Sequence, residues 1–409
     1  MIRDPLYGYI VFPRDSVADR IVNSREFQRL RMIKQLGLAS YVFPSAEHNR
    51  FSHSIGCYYL ARYFDSILGH EDNEKLYLAA LLHDVGHPPL SHVLEGLFPK
   101  NHEEMAELII GNRETEINSV LESSDISSKS VSMIITRPTE PIFWHSMISS
   151  QLDVDRFDFL RRDSHFTGNP CGQFDIDRVL RTIVEKDGRL KVLRKGVPSV
   201  EDYLYSRYSM YTQVYLHKTK LCCERMLRKA LERAQSLLRS GDIQPESILE
   251  RFLNSGDISV SDYLRLTDND VFSHITKWSS GADPILRDMT SRLLRRNLLK
   301  PLQISGLDTR QENVKLLRLV DQKEKIVKYL EKCGFDPDYY FILHESSAIS
   351  PYVPYSEDKE GESAIFTEDD EEISNYLQEL KIKSSYNIVY IMIPEQCREK
   401  VSKLLEGTN

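Results

Sequence analysis

The sequence predicts a mainly α protein with a short N-terminal hairpin and a small α+β unit towards its C-terminal end. Apolar residues recur at helical spacing over most of the chain up to about residue 320. Strand-like runs are confined to "YIVF" near the start and to "YYFILH" (339–344) and "NIVYIMI" (387–393) near the end. The 409 residues are 41% hydrophobic and 28% charged, enough for a large core shared between two units.

The elements follow in order. Residues 1–20 read as a hairpin or extended arm, punctuated by Asp4-Pro5 and Gly8. From Ser24 to about Gly37, Phe27, Leu30, Ile33 and Leu36 recur every three residues, predicting a helix. Residues 38–52 connect it to a second helix over 53–68. Asn73 is a candidate cap for a helix that ends at His83-Asp84, stopped by Gly86, Pro88 and Pro89. Asn101 with Glu104 three residues on is a capping box for a helix closing at Gly111. The serine-rich Ser123–Ser132 reads as a loop. Helical signals resume over 143–163 and 199–240. "RLLRRNLLK" predicts a helix with Arg292, Arg295, Arg296 and Lys300 on one face. Between the two late strands lies an acidic, Pro- and Gly-punctuated stretch, then a helix opened by Thr367 with Asp370 three on. There is no internal repeat.

Several classes are excluded. The net charge of −8 disfavours nucleic-acid binding through bulk charge and leaves only a local basic groove for it. No apolar run reaches 18 residues, so no membrane span is expected. The N-terminus "MIRDPLYGYIVFPRD" has no signal-peptide core. Six scattered cysteines without a CxxC read as reduced thiols of a cytoplasmic protein.

Histidines are the anomaly. Seven of the twelve lie between His48 and His102. "LLHDVGHPPLSHVLE" alone holds His83, Asp84, His87, His92 and Glu95. A divalent metal with open positions needs several nitrogen and oxygen ligands, and adjacent His83 and Asp84 at a helix end can splay toward one ion. His53 is a candidate partner. "QLDVDRFDFLRRDS" offers Asp153, Asp155, Asp158 and Asp163, among which spacing does not choose; Asp153 can also cap a helix. His92 and Glu95, three residues apart, can share a helix face.

At these residues the sequence resembles the HD-domain phosphohydrolases, and within them the deoxynucleoside triphosphate triphosphohydrolases. The motifs are "DPLYGYI", "EFQRLRMIKQLGLASYVFPSAEHNRFSHSIG", "LLHDVGHPPLSHVLE", "NHEEMAELII", "DVDRFDFLRRDS" and "RYSMYTQVYLHKTK", over roughly residues 4–220 in the family's order. The resemblance implies a helical HD-domain catalytic core over 1–240, followed by a helical extension over 241–318 and the α+β unit over 319–409. No sterile-alpha-motif domain, which the animal member carries, is expected before it.

The resemblance further implies metal ligands His53, His83, Asp84 and Asp155, a set suited to Mn²⁺, Fe²⁺, Mg²⁺ or Ni²⁺. It assigns His102 as general acid, with His92 and Glu95 beside it in the catalytic set. It places Arg50, His87, Arg156, Arg207 and Lys218 at phosphate, and Gln35, Leu36 and Tyr215 at the sugar. Arg156 and Glu95 depart from the family's lysine and aspartate. The family's nucleotide-activator site falls on Asn23, Gln28, Arg31, Arg296 and Lys300, in a homo-oligomer (dimer or tetramer). The reaction implied is hydrolysis of a dNTP to deoxynucleoside and triphosphate. The competing readings are another HD phosphohydrolase acting on nucleoside monophosphates, cyclic nucleotides or nucleic-acid ends, and a non-catalytic nucleotide-binding regulator.

Overall fold

The computed structural model describes residues 1–137, 141–305, 309–346, 352, 364–377 and 388–406. The chain forms two compact units: Met1–Met210 with Asp257–Asn269 and Pro351–Lys383, and Tyr211–Gly256 with Asp270–Ser350 and Ser384–Asn409. It is mainly α with small antiparallel sheets, the predicted class.

In the first unit β1 (Ile2–Asp4) and β2 (Gly8–Ile10) form the N-terminal hairpin, turned by the Asp4 carboxylate, which accepts the N–H groups of Leu6 and Tyr7. Ser16 and Ser24 cap α1 (Val17–Val22) and α2 (Arg25–Arg29). The helix expected up to Gly37 is shorter. A 3-10 turn over Leu30–Met32 follows α2, and Ile33 is extended at φ −119. The N–H groups of Lys34 and Gln35 are taken by the Asp268 carboxylate and the His48 carbonyl instead of helix carbonyls.

Asn49 caps α3 (Arg50–Ile67), which starts before the expected His53 and puts that residue in its first turn. Asn73 precedes α4 (Glu74–Leu82) without capping it, because its amide donates to the Asp65 carboxylate. A single turn, α5 (His92–Glu95), leads to α6 (His102–Gly111), which carries the Asn101–Glu104 capping box. After α7 (Glu116–Glu122) the serine-rich stretch is a loop only as far as Ser127. Ser127 caps α8 (Ser128–Thr136), which the buried Val131, Ile134 and Ile135 hold down. Then come α9 (Ile142–Ile148), α10 (Val154–Thr167) capped by Asp153, α11 (Ile176–Leu180), the hairpin β3 (Ile183–Lys186) and β4 (Arg189–Val192), and α12 (Val197–Met210).

The core packs α3 against α4 and α10, with Ile55, Phe64, Leu78, Leu82, Phe157 and Leu160 at 0–1% exposure. Gly56 permits that approach: a Cβ there would stand 2.0 Å from Asp158 Oδ1.

A π-helical turn, Tyr211–Tyr215, precedes α13 (Lys218–Ser240). There follow α14 (Ile248–Ser255), α15 (Val260–Arg265), α16 (Asp268–Trp278) and α17 (Pro284–Leu294). The predicted basic face is broken, because α17 stops at Leu294, Arg296 turns at φ 52 and Lys300 opens β5 (Lys300–Ser305). Next are α18 (Thr309–Lys332), α19 (Pro337–Tyr340), β6 (Ile342–Ser346), β7 (Ile388–Ile393) and α20 (Arg398–Glu406). The three strands form one antiparallel sheet in the order β5-β7-β6 in the second unit. The first late strand begins at Ile342, not Tyr339, because Asp336 caps the turn α19. Asn387 and most of the acidic stretch lie outside the described residues. The helix expected from Thr367 does not form. Thr367 bridges Val192 in the first unit, and its N–H goes to the Glu371 carbonyl in a tight turn with Asp370 at φ 62. No helix among the described residues is long and apolar enough to cross a membrane.

Candidate active site

Four side chains implied as ligands converge in the first unit. His53 Nε2 lies 3.0 Å from Asp155 Oδ1 and 3.4 Å from Asp84 Oδ2. His83 Nε2 lies 3.4 Å from Asp84 Oδ1 and 3.7 Å from Asp155 Oδ1. His53 comes from the first turn of α3, His83 and Asp84 from the end of α4, and Asp155 from the first turn of α10.

The surroundings prepare both imidazoles for an ion. His53 Nδ1 donates to Asp158 Oδ2 at 2.7 Å, and His83 Nδ1 donates to the Ala80 carbonyl at 2.8 Å. With the proton on Nδ1, each Nε2 would offer its lone pair to an ion held beside the carboxylates. Buried His83 Nε2 has no hydrogen-bond partner among the described residues. An orphaned buried lone pair between two carboxylates is what a divalent cation satisfies, so the residues present fit one. Asp158 is itself held by Arg162 at 2.7 and 2.9 Å, and Arg162 also reaches Asp4 at 2.8 Å. Burial raises the Asp158 carboxyl, but Arg162 and His53 outweigh it and hold it down to about 2.

Cys57 Sγ lies 3.7 Å from His53 Nε2. Burial pushes that thiol well above its usual range, and it donates to the Val154 carbonyl. It lies within ligand distance of the same group as His53, His83 and Asp155.

A second group adjoins the first through His87, whose Nε2 is 3.1 Å from Asp84 Oδ1. The His87 ring stacks on His102 at 4.0 Å, and His92 stands edge-on to both at 4.9 and 5.4 Å. Glu95 joins the set: Oε2 accepts from His92 Nδ1 at 2.6 Å, and Oε1 accepts from His102 Nδ1 at 2.5 Å and from the His102 N–H at 2.9 Å. Burial raises the Glu95 carboxyl, but the two histidines pull it far below the carboxylate range. Burial, Arg50 and His102 push the His87 imidazolium toward the neutral ring. Gly86 seats this loop on α6, since a Cβ there would stand 2.1 Å from the His102 carbonyl.

Arg50 is buried between Asp84 Oδ2, 2.7 Å from Nη1, and Ser91 Oγ, 3.0 Å from Nε. Ser91 Oγ donates to the Lys34 carbonyl at 2.7 Å. Leu90 and Ser91 sit at φ 56 and 54, backbone costing of order 1–3 kcal/mol each in a non-glycine residue.

The other implied residues are more dispersed. Gln35 is buried beside His48, whose carbonyl receives its N–H, and Leu36 is half-buried next to it. Arg156 turns back on its helix cap, pairing with Asp153. Arg207 is buried on α12. Tyr215 and Lys218 fall in the second unit, on the π-helical turn and at the start of α13. Asn23 ends α1 with its amide on the Asp19 carbonyl, while Gln28 Oε1 accepts from Arg31 Nε at 2.8 Å. Arg296 and Lys300 belong to the second unit, where Lys300 meets Glu395 at 3.0 Å.

Sequence reasoning did not select Arg162, Ser91, Tyr263 or Asp268. Arg162 follows Asp158 by four residues, a helical ion-pair spacing that could have singled it out. Asp268 stands 178 positions from the Leu90 N–H it holds, and no local pattern signals that contact.

This helical frame with convergent H…HD…D residues defines a metal-dependent phosphohydrolase of the HD type, and the chain belongs to the HD-domain family. Residues 50–158 match the family model of the HD domain and residues 174–251 that of the HD associated region. The uncharacterized protein YwfO of Bacillus subtilis is 34% identical over 372 residues, which is 88% of this chain and 83% of that protein. The human deoxynucleoside triphosphate triphosphohydrolase SAMHD1 is 28% identical over 355 residues, 75% of this chain. The match covers 54% of SAMHD1, so the chain spans about half that relative's length. The crystal structure of a phosphohydrolase from Bacteroides thetaiotaomicron superposes with a TM-score of 0.79 at 29% identity, over 96% of this chain and 98% of that one.

Proposed function

We propose that the protein hydrolyses deoxynucleoside triphosphates to deoxynucleoside and triphosphate, with a divalent ion held by His53, His83, Asp84 and Asp155. The observation that carries the reading is the adjacency of two different sets, four ligand-type groups and a carboxylate-bridged histidine pair, linked through His87. Binding alone has no use for the second set. The name of the human relative supports the substrate class.

A divalent ion held by His53, His83, Asp84 and Asp155 would supply Lewis-acid charge at the α-phosphate and toward water. The chain's own residues do the rest. Attack by water on the α-phosphorus breaks its bond to the sugar's 5′ oxygen, a poor leaving group unless protonated. His102 gives it that proton. The Glu95 carboxylate accepts from Nδ1, which fixes the ring and leaves Nε2 to face the leaving oxygen. His87, stacked against His102 and tied to Asp84, keeps the two sets in register. Arg50 neutralises Asp84 and brings positive charge to the phosphate side. Gln35 and Leu36 line the sugar.

Incubating metal-loaded protein with each dNTP and NTP and separating the products tests the reading. Triphosphate and deoxynucleoside are expected; release of monophosphate or pyrophosphate refutes it.

The same reading makes the protein a nucleotide-activated homo-oligomer, with Asn23, Gln28, Arg31, Arg296 and Lys300 at the activator. Where the resemblance places an aspartate that reads guanine's donor edge in the animal member, this chain has Asn23; an aspartate is acceptor-only, whereas the amide of Asn23 offers one acceptor and one donor group. Guanine's paired N–H donors lose a charged partner, about ten- to a hundred-fold in affinity. Activation without strict guanine specificity follows. Hydrolysis with and without GTP, dGTP and dATP, alongside light scattering, checks it; a monomer or a strict GTP requirement refutes it.

A further inference from the structure

The stretch Asp257–Asn269 packs with the first unit, although the chain on both sides of it belongs to the second. Its side chains meet the backbone of the Gly86–Ser91 loop. Tyr263 Oη donates to the Gly86 carbonyl at 2.6 Å. Asp268 Oδ1 accepts the Leu90 N–H at 2.6 Å, and its Oδ2 accepts the Lys34 N–H at 2.9 Å. Arg29 lies between them, donating from Nη1 to the His87 carbonyl and from Nε to the Leu266 carbonyl, both at 2.9 Å, with its guanidinium 5.2 Å over the Tyr263 ring. Tyr263 is 1% exposed and Asp268 3%.

These bonds fall where the backbone is least willing to stay. Leu90 and Ser91 both hold positive φ without being glycine, and such a conformation persists only where its surroundings over-determine it. The loop carries His87 at one end and His92 at the other, with Ser91 reaching Arg50 between them. A relaxed loop would unstack His87 from His102 and release Arg50 from Ser91.

We propose that Tyr263 and Asp268 are positioning residues: they lock the strained Gly86–Ser91 loop so that His87, Arg50 and the His92–Glu95–His102 set hold their catalytic arrangement. Neither touches the reacting atoms. For turnover the inference rests on the proposed hydrolysis; for loop geometry it rests on the contacts alone.

The test uses Asp268→Asn and Tyr263→Phe in the full chain. Asparagine keeps one acceptor oxygen and puts a donor against the second N–H; phenylalanine removes only the hydroxyl. The expected result is at least a ten-fold fall in kcat, larger than any change in KM, with Mn²⁺ binding retained. The ring resonances of His87 and His102 should shift in histidine-labelled protein, while those of His53 and His83 stay. A purely structural role would lower the melting temperature yet leave kcat and the rings of the folded protein in place, and that result overturns the proposal. If Asp268→Asn does not fold, Tyr263→Phe decides alone. If the wild type hydrolyses no dNTP, the functional reading falls, and the ring resonances still decide this inference.

Discussion

The Glu95 carboxylate is shared: one oxygen accepts from His102 Nδ1 at 2.5 Å while the other holds His92 at 2.6 Å. A carboxylate on one ring nitrogen orients the ring and leaves the other nitrogen for proton transfer. His102→Ala is therefore expected to lower kcat by about 10²–10⁴-fold with metal content and nucleotide affinity retained. Glu95→Gln keeps an acceptor without the charge and should give a smaller loss. Steady-state kinetics with metal analysis check both; a His102→Ala variant with raised KM at unchanged kcat would make His102 a binding residue.

Removing a ligand should empty the metal site. His83→Ala and Asp84→Ala each delete a group from a four-member set, and alanine suits the helix end structurally. Loss of most bound metal and nearly all activity, with helical circular dichroism unchanged, is the expected outcome. Full metal occupancy in both variants refutes the assignment.

The support behind the ligands predicts a graded effect. Asp158 contacts His53 Nδ1, on the ring edge away from Asp155 and Asp84. Asp158→Asn keeps an acceptor oxygen but loses the charge that polarises the ring, so metal affinity should fall by about 10–100-fold. It also leaves buried Arg162 without its main carboxylate, which should cost about 3–5 kcal/mol of stability. Metal titration and thermal unfolding measure the two effects separately. Unchanged affinity in a destabilised variant would confine Asp158 to a structural role.

The convergence of His53, His83, Asp84 and Asp155 was legible because rare residue types crowded a helix end, and because the family's motifs singled out His53 and Asp155. Its supports were not. Asp155 and Asp158 share a residue type within one helix turn, and only the fold shows which carboxylate meets His53 Nε2 and which meets Nδ1. The α6 helix, with its capping box, read correctly from local pattern, whereas the helical runs over 143–163 and 199–240 are each interrupted, the first between Ile148 and Val154 and the second by the π-helical turn Tyr211–Tyr215. The run after α2 did not read correctly, because Asp268, far along the chain, takes an N–H that a longer helix would have used. Thr367 failed for a related reason: a Thr with Asp three residues on opens helices and tight turns alike, and here the Val192 bridge selects the turn.

Asp268 also predicts how stability varies with pH. Burial pushes its carboxyl up to about 6, only partly offset by the Leu90 and Lys34 N–H groups, the Lys34 ammonium and Arg29. In the unfolded chain it titrates near the ordinary ~3.9. Between those values the folded state binds the proton that the unfolded state has released. The contribution to stability is therefore fully present below pH ~4, declines as pH rises toward 6, and is lost above it. The span is about two pK units, or ~3 kcal/mol as an order of magnitude. Asp268→Asn cannot titrate, so the wild type should lose stability relative to that variant across this window, whatever the offset between the two curves. Urea unfolding of both proteins from pH 4.5 to 7.5 measures it. Parallel curves would show that the two N–H donors already compensate the buried charge and that Asp268 titrates as an ordinary carboxylate.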